Sequence, residues 1–223
     1  MVLRVDRVDL HSFLPILNET STVVDLGMSD GDFARAMVSR FGCRVYGLEP
    51  EPSLFAALPD IDRVVKEQAA VSPTDEPVAL YMNATQCAST LFDVADTSVT
   101  VAGTTLTSFL DRHAISTVDL LKMDIEGAEF DVLASTSDSD LLRIRQLTIE
   151  FHDFLDSSLL PRVRITDRRL RRLGFRRVKF TQFTNGDVLY VHPMIRLSVA
   201  DRAAILVAGK YLAGLKRHLH SPS

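Results

Sequence analysis

The chain has 223 residues, 46% of them hydrophobic and 24% charged, with a formal net charge of -4. That balance is globular, fits one domain over residues 1–223, and gives no electrostatic pull toward nucleic acid or anionic lipid. Cys43 and Cys87 make neither a disulfide framework nor a zinc motif, no run reaches the roughly 18 apolar residues of a membrane span, and MVLRVDRVDLHSF lacks a signal-peptide core, so a cytoplasmic protein with no transmembrane segment is expected.

Short apolar runs then alternate with helical patterns, which predicts βαβ units around a largely parallel sheet. STVVDLG reads as a buried strand, DFARAMVSRFG as the helix after it, closed by Gly42, and CRVYGLEP as the second strand. EPSLFAALP is a short helix stopped by Pro59, and DRVVKEQAAVS the third strand. Residues 74–105 form an irregular excursion containing the strands PVALYMN and VTVAGTTL, with Thr85, Ser89 and Thr90 on a candidate acceptor lid. A helix at LTSFLDRHA, the strand TVDLLKMD, the helix EGAEFDVLAS and the strand RIRQLTIEFHD follow. The helix DSSLLPRVRITDRRLRRLG leads to a terminal antiparallel pair, FRRVKFTQF and DVLYVHP, around the turn signal Asn185-Gly186. A last helix over 197–217 covers the flank of the sheet or a partner in a homodimer.

The first strand runs straight into Asp25-Leu-Gly-Met-Ser-Asp-Gly-Asp-Phe33. Gly27 and Gly31 let a ligand approach the backbone at a strand-to-helix turn, and Glu49, ending the second strand, is placed to take ribose hydroxyls. A helix N-terminus ordinarily favours a pyrophosphate. Here Asp25, Asp30 and Asp32 crowd the turn and would repel one, and the G-x-G-x-x-G spacing is absent. S-adenosylmethionine, with its ammonium and sulfonium, suits these acids better than a dinucleotide does. Asp30 and Asp32 also lie in the first turn of a helix, where acids complement the macrodipole without any ligand.

These pieces, with Glu49-Pro50, the block Lys122 to Glu129 (KMDIEGAE) and Ile149-Glu-Phe-His152, resemble the FkbM-type S-adenosylmethionine-dependent methyltransferases over about residues 20–193. The usual Ala-Asn of the family loop is replaced by Met28-Ser29. The resemblance implies a Rossmann-like class I methyltransferase fold: an α/β domain with a seven-stranded, mostly parallel sheet and a C-terminal antiparallel hairpin, here with an extra C-terminal helix. It also implies O-methylation of a sugar, glycolipid or polyketide-type acceptor. The candidate cofactor residues are Asp25, Gly27, Met28, Ser29, Asp30, Gly31, Phe33, Glu49, Pro50 and Ala70.

Strand ends face one crevice in an open parallel sheet. Asp124 and His152 are therefore the candidate catalytic residues, with His152 as base and Asp153 or Glu150 orienting its ring. Asp124 would position the acceptor, face the sulfonium or join a metal site. Asp124, Glu150 and His152 resemble the ligand set of divalent-cation O-methyltransferases, for which Mg2+ would suit the oxygens and less so the histidine. Lys122, inside a strand, needs a counter-charge, and Glu126 and Glu129 are the candidates for it. The rival readings are a non-catalytic nucleoside-binding or scaffold protein of the same fold, and an NAD-linked oxidoreductase. From Arg162 to Lys179 nine of eighteen residues are basic, a solvated helix face or a surface for an anionic partner.

Overall fold

The computed structural model describes residues 4–82, 88–89, 97–154, 156–201, 203–205 and 207. A hairpin of β1 (Asp6–Val8) and β2 (His11–Phe13) precedes β3 (Thr22–Leu26), α1 (Asp32–Phe41), β4 (Arg44–Leu48) and α2 (Pro52–Ala57). Then come β5 (Val64–Glu67), β6 (Ala70–Val71), β7 (Val78–Met82), β8 (Ala88–Ser89), β9 (Thr97–Val101), β10 (Gly103–Thr104) and α3 (Leu106–Arg112). The second half carries β11 (Leu120–Met123), α4 (Glu129–Ser135), α5 (Asp138–Leu141), β12 (Gln146–Ile149), α6 (Leu160–Arg172), β13 (Arg176–Lys179) and β14 (Val188–Val191).

Seven strands form the central sheet in the order β13-β14-β12-β11-β3-β4-β5, all parallel except β14, which runs antiparallel to both neighbours. This is the architecture the sequence predicts. The central strands β11 and β12 are fully buried because both faces of the sheet are covered, although they carry the polar residues Lys122, Gln146 and Thr148. Phe33 and Met37 of α1 pack with Val23, Val45 and Leu120 on one side. Phe109, Phe130 and Leu170, from α3, α4 and α6, pack with Val24, Leu121 and Leu147 on the other. Strand order reverses between β3 and β11, and such a switch point opens a crevice at the carboxyl ends of the strands.

The expected third strand divides. Val64–Glu67 joins the main sheet, whereas Ala70–Val71 leaves it to pair with β10. The connection between β13 and β14 is longer than a two-residue turn, because Asn185 is drawn away to Asp153 through its N–H (3.1 Å) and Nδ2 (2.7 Å).

The β1–β2 hairpin was not evident in the sequence. It docks over β12 and β14 by polar contacts: Ser12 N–H and Oγ donate to Asp187 (3.1 and 2.7 Å), and Leu14 N–H donates to Gln146 Oε1 (2.8 Å). At the other end of the chain, Leu197 and Ile205 are buried against Val178, Leu189 and Val191. The described part of the last helix therefore covers the flank of the sheet, with Val199 and Val207 exposed. Thr85, Cys87, Thr90, Leu206 and Leu215 lie outside the described residues. Much of the basic charge of α6 is paired with acids: Arg162 with Asp131, Arg169 with Asp138 and Arg171 with Asp167. No helix among the described residues is long and apolar enough to cross a membrane.

Candidate active site

The loop after β3 turns through three left-handed residues, Gly27 (φ 82°), Ser29 (φ 51°) and Gly31 (φ 81°). A Cβ on Gly27 would lie 1.9 Å from the carbonyl oxygen of Asp124, so the loop and the end of β11 meet backbone to backbone. Five of the loop's N–H donors are already taken. Those of Gly27 and Met28 bond Leu48 O, that of Gly31 bonds Met28 O and that of Asp32 bonds Asp30 Oδ1. Ser29 N–H donates to Glu49 Oε2 at 2.7 Å, while Glu49 Oε1 accepts from Glu51 N–H at 3.0 Å. Glu49, 4% exposed, is thus held rigidly at the mouth of the crevice; burial pushes its carboxyl upward against those two hydrogen bonds.

The crevice holds a cleft of about 310 Å³, within the size range of small-molecule sites. Gly27, Ser29, Glu49, Pro50, Ala70 and Asp124 of the expected residues line it, and Leu48, Leu54, Val71 and Leu80 give it an apolar wall. The others stand outside its lining. Asp25 is fully buried, Met28 is buried against Gly47, and Gly31 abuts Leu58. Phe33 is buried edge-on to His11, with ring centroids 5.9 Å apart, and Asp30 is exposed.

Lys122 sits behind this cleft, 4% exposed. Its partners are not Glu126 and Glu129. The register of the sheet sets it opposite Asp25, whose carboxylate is 3.2 Å from Nζ, and it reaches Asp124 at 3.8 Å and donates to the carbonyl of Gly27. Burial opposes its charge, but Asp25 and Asp124 hold its ammonium above the ordinary range.

Glu129 has a different task. Fully buried, its Oε1 accepts from the N–H groups of Ile125 and Gly127 (both 3.1 Å) and from His152 Nδ1 (2.9 Å). It shapes the turn in which Glu126 (φ 52°) and Gly127 (φ 100°) are both left-handed, and it fixes the imidazole of His152. Asp153 and Glu150, expected in that orienting role, do not fill it. Nε2 of His152 then faces Glu126 (3.4 Å) and Asp124 (3.7 Å). Burial disfavours the cationic ring, yet the hydrogen bond to Glu129 and the charges of Glu129, Glu126 and Asp124 outweigh it and hold His152 up to about 9.

On the other side of Asp124 stands His11 from the hairpin, with Nε2 3.4 Å from Oδ2. Nothing in the sequence marks it, since it precedes the family-like segment and lies in a strand too short to show a period. Asp124 is driven down to about 2: burial works against its charge, but His11, Lys122 and His152 overcome it. Glu150 goes the other way, up to about 7, through burial and the neighbouring charge of Asp124. Among the described residues, two groups offer ligand atoms within 4.8 Å of one another, His11 with Asp124 and Glu150, and Asp124 with Glu126 and His152. Glu150 and His152, expected in one ligand set, fall into different ones.

A family model described as the methyltransferase FkbM domain matches residues 25–177. The AMB antimetabolite synthetase AmbE of Pseudomonas aeruginosa is 39% identical over 70 residues, which are 31% of this chain; the match spans only 3% of that protein's length. Among solved structures, human methyltransferase-like protein 13 in complex with SAH has a TM-score of 0.46 at 14% identity, covering 93% of this chain and 86% of that one. A protein of Anabaena variabilis described as a methyltransferase from an antibiotic biosynthesis pathway has a TM-score of 0.38 at 12% identity, covering 91% and 81%.

Proposed function

Because the chain belongs to the family of methyltransferase FkbM domains, we propose that it is an S-adenosylmethionine-dependent O-methyltransferase acting on a hydroxyl of a small or glycosidic acceptor. The observation that carries the cofactor is the charge and donor balance of the cleft. Glu49, Asp124 and Glu126 line it, and the five loop N–H groups of Gly27, Met28, Ser29, Gly31 and Asp32 are bound within the protein. A pyrophosphate would meet carboxylates and find those donors closed to it, whereas a cationic cofactor is welcome there.

S-adenosylmethionine supplies a methyl group already activated on a sulfonium. The task left to the protein is to align the acceptor oxygen and take its proton, and alignment alone is worth about 7–11 kcal/mol in favourable cases. Glu49 holds the ribose end, the apolar wall holds the base, and Asp124 attracts the sulfonium side. His152, oriented by Glu129, is the group that receives the hydroxyl proton at Nε2. The ring gives up its own proton once the positive charge of the bound cofactor offsets Asp124 and Glu126. The likeness to a short segment of an antimetabolite synthetase supports a natural-product acceptor. Calorimetry with S-adenosylhomocysteine tests the reading: saturable binding is expected, and no heat at high protein concentration would overturn it.

A further inference from the structure

The geometry points to a divalent-cation site formed by His11, Asp124 and Glu150, in which the N-terminal hairpin supplies the nitrogen ligand. Ligand atoms of the three lie within 4.8 Å of one another. His11 Nε2 and Asp124 Oδ2 are 3.4 Å apart. That is long for a hydrogen bond, yet two atoms each about 2.1 Å from one ion at a tetrahedral angle lie about 3.4 Å apart.

Glu150 is the second, independent sign. It is 9% exposed, and among the described residues its carboxylate makes no hydrogen bond or ion pair. A mostly buried carboxylate with no cation at hydrogen-bond distance is better accommodated when something of opposite charge completes it. The surroundings call for such a charge. Asp25, Glu49, Asp124, Glu126, Glu129 and Glu150 gather around a single ammonium, Lys122, and two imidazoles. Lys122 leans mainly toward Asp25, at 3.2 Å against 3.8 Å to Asp124.

One nitrogen and two carboxylates suit a first-row divalent ion such as Mn2+ or Zn2+ better than a site built wholly of oxygen would. His11 approaches Oδ2 of Asp124 and His152 approaches Oδ1, so the two imidazoles address different oxygens of one carboxylate. An ion held by His11, Asp124 and Glu150 would supply Lewis-acid polarisation of a hydroxyl, a task distinct from the proton transfer assigned to His152.

Mn2+ and Zn2+ are each titrated into the full chain after removal of metal by a chelator, with no S-adenosylmethionine present. Failure here therefore leaves the cofactor reading standing. One equivalent should bind, and H11Q and E150Q should each weaken binding about tenfold or more. H113Q, whose histidine pairs with Glu67, should leave it unchanged. Pulsed electron paramagnetic resonance of the Mn2+ form should show coupling to an imidazole nitrogen that H11Q removes, and circular dichroism checks that each variant is folded. If H11Q does not fold, E150Q and the wild-type nitrogen signal decide. Binding of neither ion at millimolar concentration, no nitrogen coupling in the wild type, or unchanged affinity in the folded variants would each overturn the site.

Discussion

His152 Nδ1 donates to Glu129 across 2.9 Å, from the segment after β12 to the first residue of α4, and both side chains are buried. The same carboxylate oxygen ties down the turn between β11 and α4. One buried acid therefore sets both the shape of the strand end and the direction of the imidazole. This gives the first prediction. Glu129→Gln keeps the oxygen that accepts from both N–H groups and from the ring and should fold, but it removes the negative charge that supports the imidazolium. Its kcat should fall about a hundredfold, the lower end of what a positioned base supplies. A Glu129→Gln enzyme with wild-type kcat would remove His152 from proton transfer.

Lys122 and Asp25 form the buried ion pair beneath the cleft. Lys122→Met takes the counter-charge from Asp25, whose carboxyl burial already pushes upward, and should cost about 3–5 kcal/mol of stability. The double variant with Asp25→Asn should recover part of that loss, with a coupling of about 2 kcal/mol in a double-mutant cycle read by urea unfolding. Additive losses would mean that the two residues are independent.

Gly27→Ala would drive a methyl group into the carbonyl oxygen of Asp124 at a residue whose φ is +82°. A loss of about 3 kcal/mol or more, together with weakened S-adenosylhomocysteine binding, is expected. At Gly186 an added Cβ meets nothing nearer than 3.5 Å, so Gly186→Ala should cost clearly less than Gly27→Ala. Equal stability of the two variants in urea would contradict the backbone contact.

Glu49→Ala removes the acceptor of Ser29 and Glu51 N–H groups and one polar wall of the cleft. Hydrogen bonds to a charged group are worth about 1.5–3 kcal/mol, so affinity for S-adenosylhomocysteine should fall about tenfold to a hundredfold. Calorimetric binding that is unchanged would place the ribose elsewhere.

Much of this was legible in the residues themselves. Apolar runs of strand length, interrupted by Gly27 and Gly31 and closed by Glu49, fix β3, the loop and β4, and the charged block after VDLL marks the end of β11. Partner choice was not legible, for a geometric reason. Chain proximity suggested Glu126 and Glu129 for Lys122, but in a parallel sheet its neighbour is the residue in register on β3, Asp25. The sequence likewise offered Asp153 or Glu150 to orient His152. Residues one apart in an extended segment point to opposite sides, and Asp153 in fact holds Asn185. His11 escaped for want of any periodic signal in three-residue strands, and it is placed by Asp187 and Gln146, more than a hundred residues away.

The contact between Gly27 and the carbonyl of Asp124 has a bearing on how such a protein diversifies. The spacing between donor and acceptor regions is set by two main chains in touch, not by side-chain rotamers. On the proposed function, mutations on the hairpin that carries His11 can change the acceptor while the main-chain contact between the loop and the end of β11 stays fixed. Selectivity is thus free to drift, and reach is not.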